Sequence, residues 1–341
     1  MSTTTSQPES GPADAAASTQ TAALDGAVAI QGRTPWEIIR GRLKRDRVTM
    51  TAFVFSVFFI ALAALSPLLQ AVGLIDPLSN HAELVQGLGS MPEGPFGGMS
   101  TSHWLGVEPG SGRDLLSRIV AGITTSMLVA LFATVFAIIV GTILGIISGY
   151  ARGRVDWWIS RGLDLVLSFP STVMLLSLSV VLVSRIAGIM GVPESDNRAK
   201  ITFIALVLGF FGFPFFARVV RGQVLSLRER EFVEAAKSLG ARPGRIYFKE
   251  LLPHLWAPIL VYTTLILPAN IAAEASLGFL GVSVTPPTPS LGAILNDSVG
   301  YARVDPAFFF FPGMTVFFIV LALNLLGDGL RDALDPKAGR S

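Results

Sequence analysis

Two places in this sequence hold residues with chemistry to offer. The first is the segment 218–253, dense in arginine, lysine and glutamate, where Glu234, Ala235, Ala236, Gly240, Arg245, Leu252 and Pro253 succeed one another. Two alanines beside an acid let another surface approach closely. Gly240 can take the positive φ of a helix C-cap, and Pro243 suits the first turn of a following helix. That is the chemistry of docking, not of bond making. The second place is Glu274, an isolated acid between apolar stretches. An acid in such surroundings is costly unless paired or wet, which makes it a functional candidate. It can line a passage and meet a cargo ammonium group, pair with Arg303, or cap a helix end.

The remaining titratable residues argue against an enzyme. The chain has no cysteine and three histidines, His81, His103 and His254, separated in sequence. No thiolate site can form, and a histidine-built metal centre is not expected. No nucleophile–base motif or phosphate-binding Walker A loop occurs, so the chain is not expected to hydrolyse ATP itself. A secondary transporter coupled to H⁺ or Na⁺ needs acids at mid-membrane depth, and Glu274 is the one candidate. A net charge of +2 does not suggest nucleic acid.

These residues are carried by an unusually apolar chain. Of its 341 residues 51% are hydrophobic and 15% charged, against about 25% charged in soluble domains. Charge-free stretches at 48–75, 119–151, 165–184, 201–217, 255–273 and 307–327 match the roughly 20 apolar residues a bilayer-spanning helix needs. None alternates with period two, so the expected fold is all-α, with six transmembrane helices. Pro214 and Pro268 fall inside the fourth and fifth stretches, where each removes a backbone donor and can bend a helix along a passage.

Lys and Arg set the expected orientation. Outside 33–47, the neighbourhood of Arg152–Arg161, 218–249 and the C-terminus, only Arg113, Arg118, Arg185, Arg198, Lys200 and Arg303 remain. The positive-inside bias then puts both termini in the cytoplasm. The expected organisation is a disordered tail at 1–32, rich in Ser, Thr and Ala and free of Lys and Arg, a basic cytoplasmic segment at 33–47, a transmembrane domain at 48–330 and a cytoplasmic C-terminus at 331–341. Outside, 76–118 is long, with coil or turns expected over 91–98, and 285–290 reads as stiff extended chain. Either can dock an external partner or merely connect.

Within 218–253 the sequence predicts a helix over 228–239, a turn at Gly240, and a short amphipathic helix from Pro243. Tyr247, Phe248, Leu251 and Leu252 should share one face of the latter, and Pro253 should end it. The run Glu234-Ala235-Ala236, three residues, Gly240, then Leu252-Pro253 resembles the EAA loop of ABC importer permeases. Glu250 stands where that pattern has isoleucine. Further stretches resemble the "C" subunit of the peptide/nickel branch: Trp104 to Arg118, departing from the pattern over 107–111; Asp156 to Pro170; and Leu277 to Gly281 with Pro286 to Ser290 and Asn324 to Pro336.

The resemblance implies a type I ABC importer permease in a bacterial plasma membrane, surrounded by lipid. It implies a homologous but distinct permease as heterodimer partner, two cytoplasmic ATPase subunits and an external substrate-binding protein. Glu234, Ala235, Ala236, Gly240, Arg245, Leu252 and Pro253 would form the coupling element. ATP and Mg would be bound by the ATPases, with no cofactor in this chain. The implied cargo is dipeptides or oligopeptides, with nickel chelates, glutathione or haem as alternatives.

Overall fold

A computed structural model describes residue 41 and residues 46–87 and 90–334. The tail at 1–32, most of 33–47, and residues 335–341 of the C-terminus lie outside the described residues. Six long apolar helices stand among them: α1 (Arg47–Ala71), α2 (Leu115–Tyr150), α4 (Ser171–Met190), α5 (Asn197–Leu227), α7 (Trp256–Phe279) and α9 (Pro306–Leu334). Shorter helices α3 (Arg154–Ser168), α6 (Glu231–Ser238) and α8 (Leu291–Ser298) lie between them.

Side-chain caps fix several starts. Asp46 accepts from the Val48 and Thr49 amides, Asp114 from Ser117, Asp196 from Arg198 and Ser290 from Ala293. Each satisfies donors that the first helical turn leaves unpaired.

The framework is the parallel pair α2 and α5. Gly141, Gly145 and Gly149 recur every four residues on α2 and so share a face. A Cβ at 141 would meet Phe213 and Phe216, at 145 Ala217 and Val220, and at 149 Arg221 and Val224. Small residues let the two backbones approach without a hydrophobic driving force from lipid. α1 closes on α9, where Gly329 admits Thr49, and the Thr124 hydroxyl of α2 donates to the Ala63 carbonyl of α1 at 2.9 Å. Pro214 and Pro268 both lie within helices that run on past them.

The third span differs from the sequence expectation of one helix over 165–184. Phe169 is extended (φ −87°, ψ 133°) because the residue before a proline is driven out of the helical region. The chain therefore breaks at Pro170 into amphipathic α3 and apolar α4. The run 285–290 also differs. It turns at Pro286 and Pro287 because Asn197 bonds Thr285 on both its amide and its carbonyl, and Arg118 donates to the Pro287 carbonyl at 3.1 Å. The 91–98 stretch, expected to be coil or turns, instead opens with a strand, Met91–Pro92, paired with Val85–Gln86 in a small hairpin, and ends in a short helical turn at Pro95–Gly98.

Candidate functional site

α2 has 36 residues and so runs about 54 Å at 1.5 Å per residue, far beyond a hydrocarbon core of about 30 Å. Its last residue, Tyr150, meets the 218–253 segment. α5 continues to its C-cap Arg228, whose guanidinium crosses to the Gly149 carbonyl at 3.0 Å. α6 begins three residues later, at Glu231, so the helix expected over 228–239 starts only after a turn at Arg228–Arg230. Gly240 then adopts φ +76°, as the sequence predicted for a helix C-cap.

Beyond Gly240 the backbone departs from a simple amphipathic helix. A single turn at Pro243–Arg245 widens into a π-helix over Ile246–Leu251 and tightens into a 3-10 turn over Leu252–His254. The changed winding splits the expected face. Ile246, Leu251 and Leu255 are fully buried with Phe216, Val220, Val224 and Val233. Phe248 is 63% exposed, and with Tyr247 and Leu252 it faces a separate apolar cavity beside α2.

The residues picked from sequence divide in the same way. Ala235, Ala236, Gly240 and Arg245 line one open concavity of about 720 Å³, together with Phe232, Leu239, Ala241, Arg242 and Glu250. Glu250 is thus part of that surface. Glu234 is exposed on α6, and Pro253 is exposed beyond the concavity. Leu252 belongs to the apolar cavity instead. Leu239 is 88% exposed.

Tyr150, Lys237 and Phe232 brace the loop and were not singled out in the sequence. The Tyr150 ring meets the Tyr247 ring edge-on at 5.2 Å, and the Lys237 ammonium lies 5.2 Å from the Tyr150 ring centre. α6 and the π-helix are thereby clamped to the end of α2. The ring of Phe232 also stacks on His254 at 4.4 Å. No local pattern joins Tyr150 to residues some ninety positions away, so only the fold brings them together.

Glu274 is 2% exposed. Its carboxyl group faces the hydroxyls of Ser126 on α2 and Ser290 at the start of α8. Those hydroxyls also receive the Leu291 and Ala293 amides, both at 3.2 Å. Gly278 and Gly292 meet backbone to backbone beside it. Arg303 is exposed and takes no part. Glu274 therefore sits in the junction of α2, α7 and α8.

The histidines separated in sequence are not all separated in space. The rings of His81 and His103 lie 5.4 Å apart, because the loop before α2 folds back until Gly112 meets the His81 backbone and His103 reaches the α2 cap Asp114 at 3.0 Å. Among the described residues no three His, Asp or Glu side chains converge as metal ligands.

Residues 141–340 match the family model described as binding-protein-dependent transport system inner membrane component. The chain belongs to that family. It is a permease subunit of an ABC importer, a multi-pass protein of the bacterial inner membrane, and ATP hydrolysis in such importers resides in separate subunits. Among its relatives, the dipeptide transport system permease protein DppC of Alkalihalophilus pseudofirmus is 38% identical over 304 residues, covering 89% of this permease and 90% of the relative. The glutathione transport system permease protein GsiD of Escherichia coli is 36% identical over 307 residues, covering 90% and 92%. Both bear out the resemblance to the peptide/nickel branch. An inward-facing structure of the MetNI methionine ABC transporter shares the fold, with a TM-score of 0.51 and 20% identity over 65% of this permease and 98% of that chain.

Proposed function

We propose that this permease carries dipeptides or oligopeptides across the membrane as one half of a heterodimer. The peptides are handed over by an external binding protein and moved by conformational work drawn from two partner ATPases, which bind the ATP and Mg. The surface around Ala235, Ala236, Gly240 and Arg245 is the ATPase docking site, flanked by Glu234, Leu252 and Pro253. The basic residues favour an orientation with both termini cytoplasmic, so that this surface faces the ATPases, and a permease domain spanning 48–330.

The observation that carries this reading is the bracing of the loop. A docking element that only adhered would need no rigid backing. Here the concavity is backed by Tyr150, Tyr247 and Lys237 at the end of the longest helix, so a push on the loop reaches α2 and α5 directly.

Peptide cargo rests on the similarity to the dipeptide permease. Glutathione, itself a tripeptide, is a second reading favoured by the nearly equal identity to the glutathione permease. The test is reconstitution of this permease with its co-encoded permease, ATPases and binding protein in liposomes. ATP-dependent uptake of labelled dipeptide is expected. Uptake of glutathione alone moves the cargo to the second reading, and uptake driven by a proton gradient without ATP overturns both.

A further inference from the structure

The stretch from Asp156 to Pro170 carries two acids whose partners lie on α5. Asp156 accepts from both Nε and Nη2 of Arg221, each at 2.7 Å, and from the Ser160 hydroxyl at 3.1 Å. About one turn back along α5 and two turns on along α3, Arg218 pairs with Asp164, which Arg161 also approaches at 3.7 Å. α3 and α5 are thus joined by two ionic rungs.

We propose that Asp156 and Arg221 are positioning residues of the transport cycle, a rigid strap through which movement of the 218–253 loop is passed to the third span. This inference rests on the docking reading above and adds the route by which force leaves the loop.

Three observations point the same way. α5 runs into the loop with only the Arg228–Arg230 turn between them, and it is locked to α2 by the glycine stripe, so loop, α2 and α5 move as one body. The third span is attached lightly. α3 buries only Leu163, and α4 only Leu175 and Ala187. It has two apolar holds on α5: Leu175, beside Phe203 and Ile204, and Leu163, which packs with Phe213 and Ala217. From Ala217 onward towards the loop, α3 and α5 are joined by the two ion pairs at Arg218 and Arg221.

The two rungs differ in kind. Asp164 and Arg218 are 45% and 49% exposed, and water weakens such a pair. Asp156 and Arg221 are 24% and 31% exposed, and their bonding is two-pronged. A forked guanidinium–carboxylate contact fixes orientation as well as distance. It transmits rotation of α5 to α3, which a single contact could not do.

The experiment uses the full reconstituted transporter with D156N, R221K and the exchange D156R/R221D. Co-purified ATPase, ATP hydrolysis and peptide uptake are measured together. The single variants should retain the ATPases and hydrolyse ATP while uptake per ATP falls about two- to thirtyfold, the range by which residues along a coupling route act. The exchange should recover part of that loss. Because the chain lacks cysteine, D156C/R221C joined by a short thiol-reactive cross-linker offers a second check, with uptake higher when linked than when unlinked.

Unchanged uptake per ATP in both single variants overturns the inference and leaves the docking reading standing. A parallel fall of protein level, hydrolysis and uptake, with no recovery on exchange or cross-linking, reduces the strap to a structural staple and overturns it as well. If the unaltered permease fails to retain ATPases, the docking reading falls and the inference falls with it.

Discussion

The ring of Tyr150, the last residue of α2, lies 5.2 Å from that of Tyr247 in the π-helix and the same distance from the Lys237 ammonium on α6. One aromatic side chain thereby ties both arms of the loop to a transmembrane helix. Edge-on aromatic pairs contribute about 0.5–1.5 kcal/mol, and an exposed cation–π contact about 0.5–1 kcal/mol. Tyr150→Ala should lower uptake per ATP hydrolysed severalfold with the ATPases still bound, whereas Tyr150→Phe should behave as the parent. Equal effects of the two substitutions would show that the hydroxyl, not the ring, matters.

Gly240 makes a sharper prediction. Its φ of +76° is costly for side chains with a Cβ, by about 1–2 kcal/mol, and least so for asparagine. No atom lies within 4 Å of a Cβ built there, so the penalty is conformational and not steric. Gly240→Val should weaken retention of the ATPases in a pull-down, Gly240→Asn should do so less, and neither should reduce membrane insertion.

Much of this was legible in the sequence, and the failures have physical causes. The six apolar stretches marked the long helices because bilayer thickness constrains their length. The positive φ at Gly240 followed from a local rule. The π-winding after Arg245 did not, since it depends on burying Ile246 and Leu251 against α5. The break at Pro170 was visible only as a proline, and the apolar count ran across it. The partners of Asp156, Tyr150 and Glu274 lie on other helices, and no periodicity within one helix reports them.

The glycine stripe predicts where the bundle tolerates a methyl group. A Cβ at Gly145 would come within 2.6 Å of the Val220 Cβ and 2.7 Å of the Ala217 carbonyl oxygen. Overpacking of this kind costs about 1–3 kcal/mol. Gly145→Ala should therefore lower the melting temperature in detergent. Gly222→Ala on α5, with nothing within 4 Å, should leave it unchanged or raise it slightly through helix propensity.

The Asp156–Arg221 strap also fixes a pH dependence. Hydrogen bonding from Arg221, opposed by partial burial, holds the Asp156 carboxyl below its ordinary value of 3.8. A group depressed in the folded state adds stability above its unfolded pKa and loses it as pH falls through the folded one. The stability difference between parent and D156N should thus be constant from neutral pH down to about 4 and shrink below that. Thermal melts of both proteins across this range measure it. A difference that shrinks between pH 8 and 5 would contradict the assignment.

Glu274 predicts the behaviour of α8. Its carboxyl faces Ser126 and Ser290, the two hydroxyls that receive the first free amides of α8, so the acid orders the groups that seat the helix. Its Oε2 atom is buried without a hydrogen-bond partner among the described residues, and unmet capacity of that kind costs free energy unless the surroundings hold it in place. Glu274→Gln keeps an acceptor for the serines and should leave α8 seated. Glu274→Ala removes it, opens a void between α2, α7 and α8, and should release the helix. A single cysteine placed at Leu295, in a chain with no cysteine of its own, reads the difference: thiol labelling should speed up several-fold in the alanine background and stay at the parent rate with glutamine. If glutamine also unseats α8 while protein level is normal, an acceptor alone does not seat the helix and the carboxyl group itself is required.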